Sequence, residues 1–247
     1  MSSITSRALD DGSNLSRREL TTAVAIVTGA NRGFGRHLAT QLLERGAKVY
    51  AAVRDPSSVD LPGAVPLRLD VTDPVSIAEA AVTAADATLL VNNAGISTNE
   101  SLIDGDLAGI RRDMETNYFG PLLLTREFAP VLTANGGGAV LNVLSVLSWL
   151  HPGPAGSYSA AKAAAWALSN ATRELLAPSG VTVTGLHVGY MDTDMAAGVP
   201  ADRKSDPAVV ARLALDAVER GDAEVLGDEL SRQVRSGTPG LRNVTEG

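Results

Sequence analysis

The sequence predicts an α/β fold: a single doubly wound parallel sheet of about seven strands with helices on both faces. Three observations carry this. Short apolar runs recur along the chain, several nearly unbroken in Val, Leu and Ile, as strands covered on both faces require. Helical stretches separate them, and strand–helix alternation gives parallel crossover units. Third, a glycine-rich loop, "TGANRGFG" at 28–35, joins the first apolar run to the first helical stretch.

The strands expected in order are 24–28, 48–53, 65–69, 88–92, 139–144 and 181–188, with a weaker seventh at 224–226. Between them, "FGRHLATQLLERG" sets Phe34, Leu38 and Leu42 on one helix face, and Gly46 stops it. "DPVSIAEAAVTAA" starts with Asp73 as cap and Pro74 at the first helical position. "SYSAAKAAAWALSNATRELL" reads as a long helix. Pro121, within "ETNYFGPLLLTREFAPVL", must kink a helix or begin a new one.

No Pro/Gly/Ser linker interrupts the 247 residues, so a single domain is expected at 22–235, between a flexible leader (1–21) and a flexible tail (236–247). The formal charge of -7 argues against a nucleic-acid partner. The absence of cysteine excludes disulfides and thiolate metal sites. Three scattered histidines and no clustered carboxylates give no metal site. No apolar run approaches the roughly 20 residues of a membrane span, nor does the polar start resemble a secretory signal. A cytoplasmic protein is expected.

A strand, a glycine-rich turn and a helix N-terminus form an anion-binding context, because free backbone N–H groups and the helix dipole point at the turn. Gly29, Gly33 and Gly35 are spaced G-x-x-x-G-x-G, and Gly33 and Gly35 remove Cβ atoms that would keep a pyrophosphate from the backbone. A tight turn with nothing bound is the alternative. In "KVYAAVRDP", Arg54 stands where dinucleotide folds place the residue facing the adenosine ribose, and a guanidinium there pairs with a 2′-phosphate. Arg32 offers a second cation. The competing reading keeps Asp55 as acceptor for a free ribose hydroxyl.

Further along, Tyr158 and Lys162 lie four apart on one helix face, and an ammonium near a phenol lowers its pKa toward working pH. Ser145 ends the fifth strand and "NNAG" (92–95) ends the fourth, at the carboxyl edge where open α/β sheets bind ligands. Asn117 is polar within an apolar stretch.

Together "TGANRGFG", "LDVTD", "NNAG", Asn117 in "METNYFG", Ser145 and "YSAAK" resemble the short-chain dehydrogenase/reductase family, over about 23–195 and in the family's order. The resemblance implies a Rossmann-like fold and an NADP(H)-dependent carbonyl reductase or alcohol dehydrogenase. In that role Tyr158 is the general acid/base, Lys162 holds the nicotinamide ribose, Ser145 binds the substrate oxygen and Asn117 anchors a water in a proton relay. Cofactor contacts would come from Gly29, Asn31, Arg32, Gly33, Phe34, Gly35, Arg54, Asp70, Val71, Asn93, Ala94, Gly95, Gly189 and Thr193, besides Tyr158 and Lys162.

The sequence departs from the family at Val188, where Pro is usual, in a short lid at 195–206, and in lacking a glycine-rich ending after the seventh strand. Leu147, Trp149, Leu150 and Tyr190 suggest an apolar or aromatic substrate, unless Trp149 packs beneath its loop. His151 reads as a solvent-facing or pocket-rim residue, and His37 and His187 as structural. A non-catalytic NADP(H)-binding sensor or scaffold, and an epimerase or dehydratase, are the alternatives to a reductase. Small-residue helices in the second half suggest a homodimer or homotetramer.

Overall fold

The computed structural model describes residues 19–237; the expected leader up to residue 18 and the tail from 238 lie outside the described residues. The strands are β1 (Val24–Thr28), β2 (Lys48–Val53), β3 (Val65–Arg68), β4 (Leu89–Asn92), β5 (Gly138–Val143), β6 (Val181–His187) and β7 (Glu224–Leu226). The helices are α1 (Gly33–Glu44), α2 (Pro74–Thr83), α3 (Leu107–Met114), α4 (Gly120–Ala134), α5 (Gly156–Leu176), α6 (Pro207–Arg220) and α7 (Glu229–Gly237). All seven strands are parallel, in the order β3-β2-β1-β4-β5-β6-β7. Winding therefore reverses between β1 and β4, and a crevice opens at their carboxyl ends.

Alternate residues of each strand feed two cores. Ala25, Val27, Val49, Ala51, Leu89, Val91 and Leu141 face α1 and α6, packing with Leu38, Leu42, Val210 and Leu215. Ile26, Tyr50, Ala52, Leu90 and Val140 face the other way, onto Ile77, Leu124, Phe128 and Leu132. The near-continuous apolar strands follow from this two-sided cover.

Asp73 caps α2 by accepting from the Val75 N–H at 3.0 Å, with Pro74 in its first turn. Pro121 opens α4, which follows α3 through one π-helical turn at Glu115–Phe119. Three helices lie outside the stretches assigned from the sequence: α3, α6 and α7. At the other end, Leu20, placed in the leader by sequence, is fully buried in the α1/α6 core. Burying a leucine contributes about 1.5–3 kcal/mol, so order begins before residue 22.

Candidate active site

At the glycine turn, Gly29 (φ +68°) and Gly33 (φ +53°) occupy left-handed conformations that strain any other residue. The Gly29 N–H donates to the Ala52 carbonyl at 2.8 Å, tying the turn to β2, and Gly33 starts α1 with unpaired N–H groups facing the turn. Gly35 serves a different purpose from the one expected. A Cβ there would run into the Gly29 carbonyl and the Asn93 amide, so Gly35 permits helix-to-loop packing rather than ligand clearance. Phe34 is buried in the core, which leaves only its backbone near the turn. Asn31 Nδ2 donates to Ser58 Oγ at 3.1 Å, bracing the turn against the segment after β2.

At the end of β2, Arg54 is exposed. Asp55 Oδ1 accepts from the Ser57 N–H (3.0 Å) and hydroxyl (2.7 Å), capping the turn at Pro56–Ser58. Its carboxylate is thus engaged locally, which weakens the ribose-acceptor reading. Arg32 reaches Asp194 at 3.3 Å, with both side chains mostly exposed; such a pair contributes little and exchanges readily. Burial favours the protonated form of Asp70, but the Thr72 N–H and hydroxyl, with the charges of Arg54 and Arg68, outweigh it and hold Asp70 below its usual range. Val71 is buried where α4 begins, against Gly120.

The "NNAG" loop stitches β4 to β1. Thr28 Oγ1 accepts from the Asn93 and Ala94 N–H groups at 2.9 Å each, and donates to the Val91 carbonyl at 3.1 Å. Asn93 Nδ2 donates to the Thr28 carbonyl at 2.8 Å, so its side chain braces the end of β4 against β1. A Cβ on Gly95 would lie 2.8 Å from Asn117 Oδ1 and 3.8 Å from Lys162 Nζ. Gly95, Asn117 and Lys162 therefore converge.

Asn117 sits in the π-helical turn, 1% exposed. Its Nδ2 donates to the carbonyls of Ile96 and Asp113, both at 2.9 Å, while Oδ1 has no partner among the described residues. A buried acceptor left open costs about 1–3 kcal/mol, and a bound water or ligand donor would satisfy it. Ser145 lies two residues beyond β5 and caps the turn Val146–Ser148, accepting from the Leu147 N–H at 3.1 Å, and its hydroxyl faces Tyr158. Lys162 Nζ donates to the Val143 carbonyl at 2.9 Å and lies 5.5 Å from the Tyr158 ring centre.

The electrostatics correct one expectation. Burial pushes the Tyr158 phenol above its usual 10; the Ser145 hydrogen bond opposes this, and the Asp113 charge adds to it. Lys162, lowered by burial to about 8, does not bring the phenol down. Tyr158 is accordingly a protonated phenol, an acid awaiting an acceptor.

Trp149 is not a pocket wall. It is 8% exposed, stacked on His187 at 3.8 Å between centroids, edge-on to Trp166, with the Arg235 guanidinium 5.0 Å from its ring. His187 is fully buried; its Nδ1 lies 3.3 Å from the Ser145 carbonyl, which can only accept, so Nδ1 carries a proton. Nε2 is 3.4 Å from Glu224 Oε1, within ion-pair reach but not aligned as a hydrogen bond. Glu224 also accepts from Trp166 Nε1 at 2.7 Å and pairs with Arg235 at 3.2 Å. The C-terminal helix α7 is thereby locked onto the loop that carries Ser145.

Leu147 and Leu150 are half-buried and Tyr190 is exposed, beside Arg203, at the edge of the lid. The lid's neck is closed by Ser205 N–H to the Tyr190 carbonyl (2.8 Å) and Asp192 N–H to the Ser205 carbonyl (3.0 Å). Thr193 comes within 3.8 Å of where a Gly33 Cβ would stand, which joins lid and glycine turn. Val188 is buried in the sheet core, and the N–H of the following Gly189 donates to Asp228 Oδ2 at 2.6 Å. His151 is exposed, as expected of a rim residue.

Three contributors went unmarked in the sequence: Asp113, the His187–Glu224 pair and Asp228. Asp113 alone left a signal, being four residues before Asn117 and so on the same helix face. Among the described residues, no group of three or more His, Cys, Asp or Glu could hold a metal.

Residues 23–204 match the family described as short chain dehydrogenase. The chain is 36% identical to a cis-4-hydroxycyclohexanecarboxylate dehydrogenase of Sinomonas cyclohexanicum, over 72% of this chain and 77% of that one. It is 30% identical to a 3-oxoacyl-[acyl-carrier-protein] reductase of Escherichia coli, over 74% and 79% of the two chains. In structure it is similar to a short chain dehydrogenase from Burkholderia cenocepacia in complex with NADP, with a TM-score of 0.86 and 39% identity, covering 90% of this chain and 95% of that one. With its fold, crevice and Ser-Tyr-Lys arrangement, the chain belongs to the short-chain dehydrogenase family, oxidoreductases of CH–OH and C=O groups.

Proposed function

We propose that the protein is an NADPH-dependent carbonyl reductase or alcohol dehydrogenase acting on a small ketone, aldehyde or secondary alcohol of apolar or aromatic character. The observation that carries this is the convergence of Asn117, Ser145, Tyr158 and Lys162 around Gly95, at the carboxyl edge where the sheet reverses.

The residues present fit the cofactor. Gly29 and Gly33 leave a turn without side chains at the N-terminus of α1, suited to a pyrophosphate. Arg54 and Arg32 flank the adenosine end, where Asp55 is occupied by its own cap. Gly95 leaves space between Asn117 and Lys162. The similar Burkholderia structure holding NADP supports the phosphorylated form. When bound, NADP(H) supplies or accepts a hydride at the nicotinamide ring.

The chain's residues then act on the oxygen. Ser145 and Tyr158 hydroxyls donate hydrogen bonds to the carbonyl oxygen, on which negative charge grows in the transition state. Tyr158 passes its proton to that oxygen, and burial keeps the phenol protonated until then. Lys162, anchored on Val143, positions a cation beside the site. Asn117 Oδ1 offers an acceptor for a water that returns the proton.

Leu147, Leu150 and Tyr190, with exposed Leu102, Ile103 and Met195, support an apolar substrate. No helix among the described residues is long and apolar enough to cross a membrane. Action in the cytoplasm as a homodimer or homotetramer belongs to the same proposal; exposed Phe119 and Leu175 on the α4–α5 side support association. Turnover of a panel of ketones and aldehydes with NADPH tests the function. Loss of NADPH with alcohol formation is expected for apolar members, whereas silence across the panel despite tight NADPH binding would reject it.

A further inference from the structure

We propose that Asp113 is a positioning residue for Tyr158, its buried carboxylate fixing the start of α5 and biasing the phenol toward its protonated form. This rests on the reading of Tyr158 as proton donor.

Asp113 lies in the last turn of α3 and is fully buried. A carboxylate so placed needs compensation, and no Lys, Arg or His pairs with it among the described residues. It is satisfied by hydroxyl and amide donors drawn from other parts of the site. Oδ1 accepts from the Thr98 N–H at 3.0 Å, and Oδ2 from the Thr98 hydroxyl at 2.9 Å. Oδ2 also takes a short hydrogen bond from the Ser157 hydroxyl. Ser157 is the residue before Tyr158, in the first turn of α5. The Asp113 carbonyl meanwhile accepts from Asn117 Nδ2 at 2.9 Å. One residue thus ties the loop after β4, the π-helical turn bearing Asn117 and the helix turn bearing Tyr158 into a single unit.

Its charge matters as well as its grip. Among the described residues, the charged groups facing Tyr158 are Asp113 from α3 and Lys162 from its own helix; Ser145 from the loop after β5 and Asn117 are neutral. An uncompensated negative charge disfavours a second anion nearby, so Asp113 opposes the phenolate. It makes Tyr158 a standing proton donor at neutral pH. An amide in its place would keep partners for these donors without that bias.

The test is Asp113→Asn, which is isosteric, keeps one acceptor oxygen for the Thr98 N–H and turns an NH2 donor toward the Thr98 and Ser157 hydroxyls, while removing the charge. Two readouts are taken. One is the tyrosinate absorbance titration of the protein alone; the chain has only four tyrosines, and subtracting Tyr158→Phe isolates the signal of Tyr158. The other is the pH profile of carbonyl reduction. Asp113→Asn is expected to move the Tyr158 midpoint and the alkaline limb of reduction down by about one pH unit or more, the scale of a nearby charge. Midpoint and limb left in place would overturn the inference. Should that variant not fold, Ser157→Ala keeps the charge and removes one of its donors, so the alkaline limb should move upward; a fixed or falling limb counts against the proposal. Failure of the underlying reading is distinguishable, because Tyr158→Phe would then retain turnover.

Discussion

Glu224→Gln is the perturbation whose size follows most directly from the structure. Glu224 lies on the edge strand β7, and three neighbours hold it ionised. His187 beside it lowers its pKa most, burial opposes, and the Trp166 N–H and the Arg235 guanidinium add, taking the carboxyl from 4.5 to about 2. At 1.36 kcal/mol per pH unit a fall of that size corresponds to about 3 kcal/mol as an upper bound. The side chain is 22% exposed and Arg235 is 46% exposed, so solvent screening reduces the expected stabilisation to about 1–2 kcal/mol. The sign is fixed by linkage: a depressed folded pKa stabilises above the ordinary value, and the gain is lost as pH falls from 4.5 through about 2. Urea unfolding followed by tryptophan fluorescence suits the measurement, since both tryptophans, Trp149 and Trp166, line this cluster. Glu224→Gln should lose about 1–2 kcal/mol at neutral pH and show a flatter decline across that acid range. A variant as stable as the parent, or one with the parent's acid decline, would refute the assignment of Glu224 as the anion that locks α7 and His187 beneath Ser145.

Three other outcomes follow from the site. Arg54→Ala should weaken NADPH binding at least tenfold more than NADH binding in parallel fluorescence titrations, as expected when one cation pairs with a 2′-phosphate. Gly35→Ala should destabilise by about 1–3 kcal/mol or more in the same unfolding assay, because its methyl would meet backbone rather than a flexible side chain. Lys162 predicts a pH trend of the same sign as Glu224, in an alkaline window: the folded group loses its proton near 8 and the unfolded group near 10.5, so the unfolded chain binds more protons between them. Stability should rise with pH across that window, and Lys162→Met should flatten the rise.

Much of this fold is legible in the sequence because two-sided burial writes itself as apolar runs, and all seven strands fall within a residue or two of their expected positions. The helices were less uniformly marked. Asp206-Pro207 repeats the cap-and-proline start of α2 and marks α6 equally well, whereas α7 is short and largely polar, held by Asp228 and Arg235 contacts that no local pattern encodes. Within the site, backbone geometry is what sequence spacing conveys, and it located the glycine turn and the Ser145–Tyr158–Lys162 set. What sequence spacing does not convey is which partner a side chain finds across the fold. Gly35 faces a carbonyl and an amide from other segments, Trp149 stacks on a histidine from β6, and Asp113 meets Ser157 from α5. For the same reason the phenol's environment is not legible from spacing: Lys162 is near in sequence, while burial and Asp113, both tertiary, prevail.

The central claim is that this crevice reduces carbonyls with Tyr158 as the proton donor, and Tyr158→Phe tests it most directly. NADPH affinity by fluorescence and reductive turnover would be measured on the same samples as the parent. Affinity should be unchanged, while turnover falls by about 10²–10⁴-fold, the range for a lost general acid. Turnover retained near the parent's rate would contradict the account and move the proton donor elsewhere.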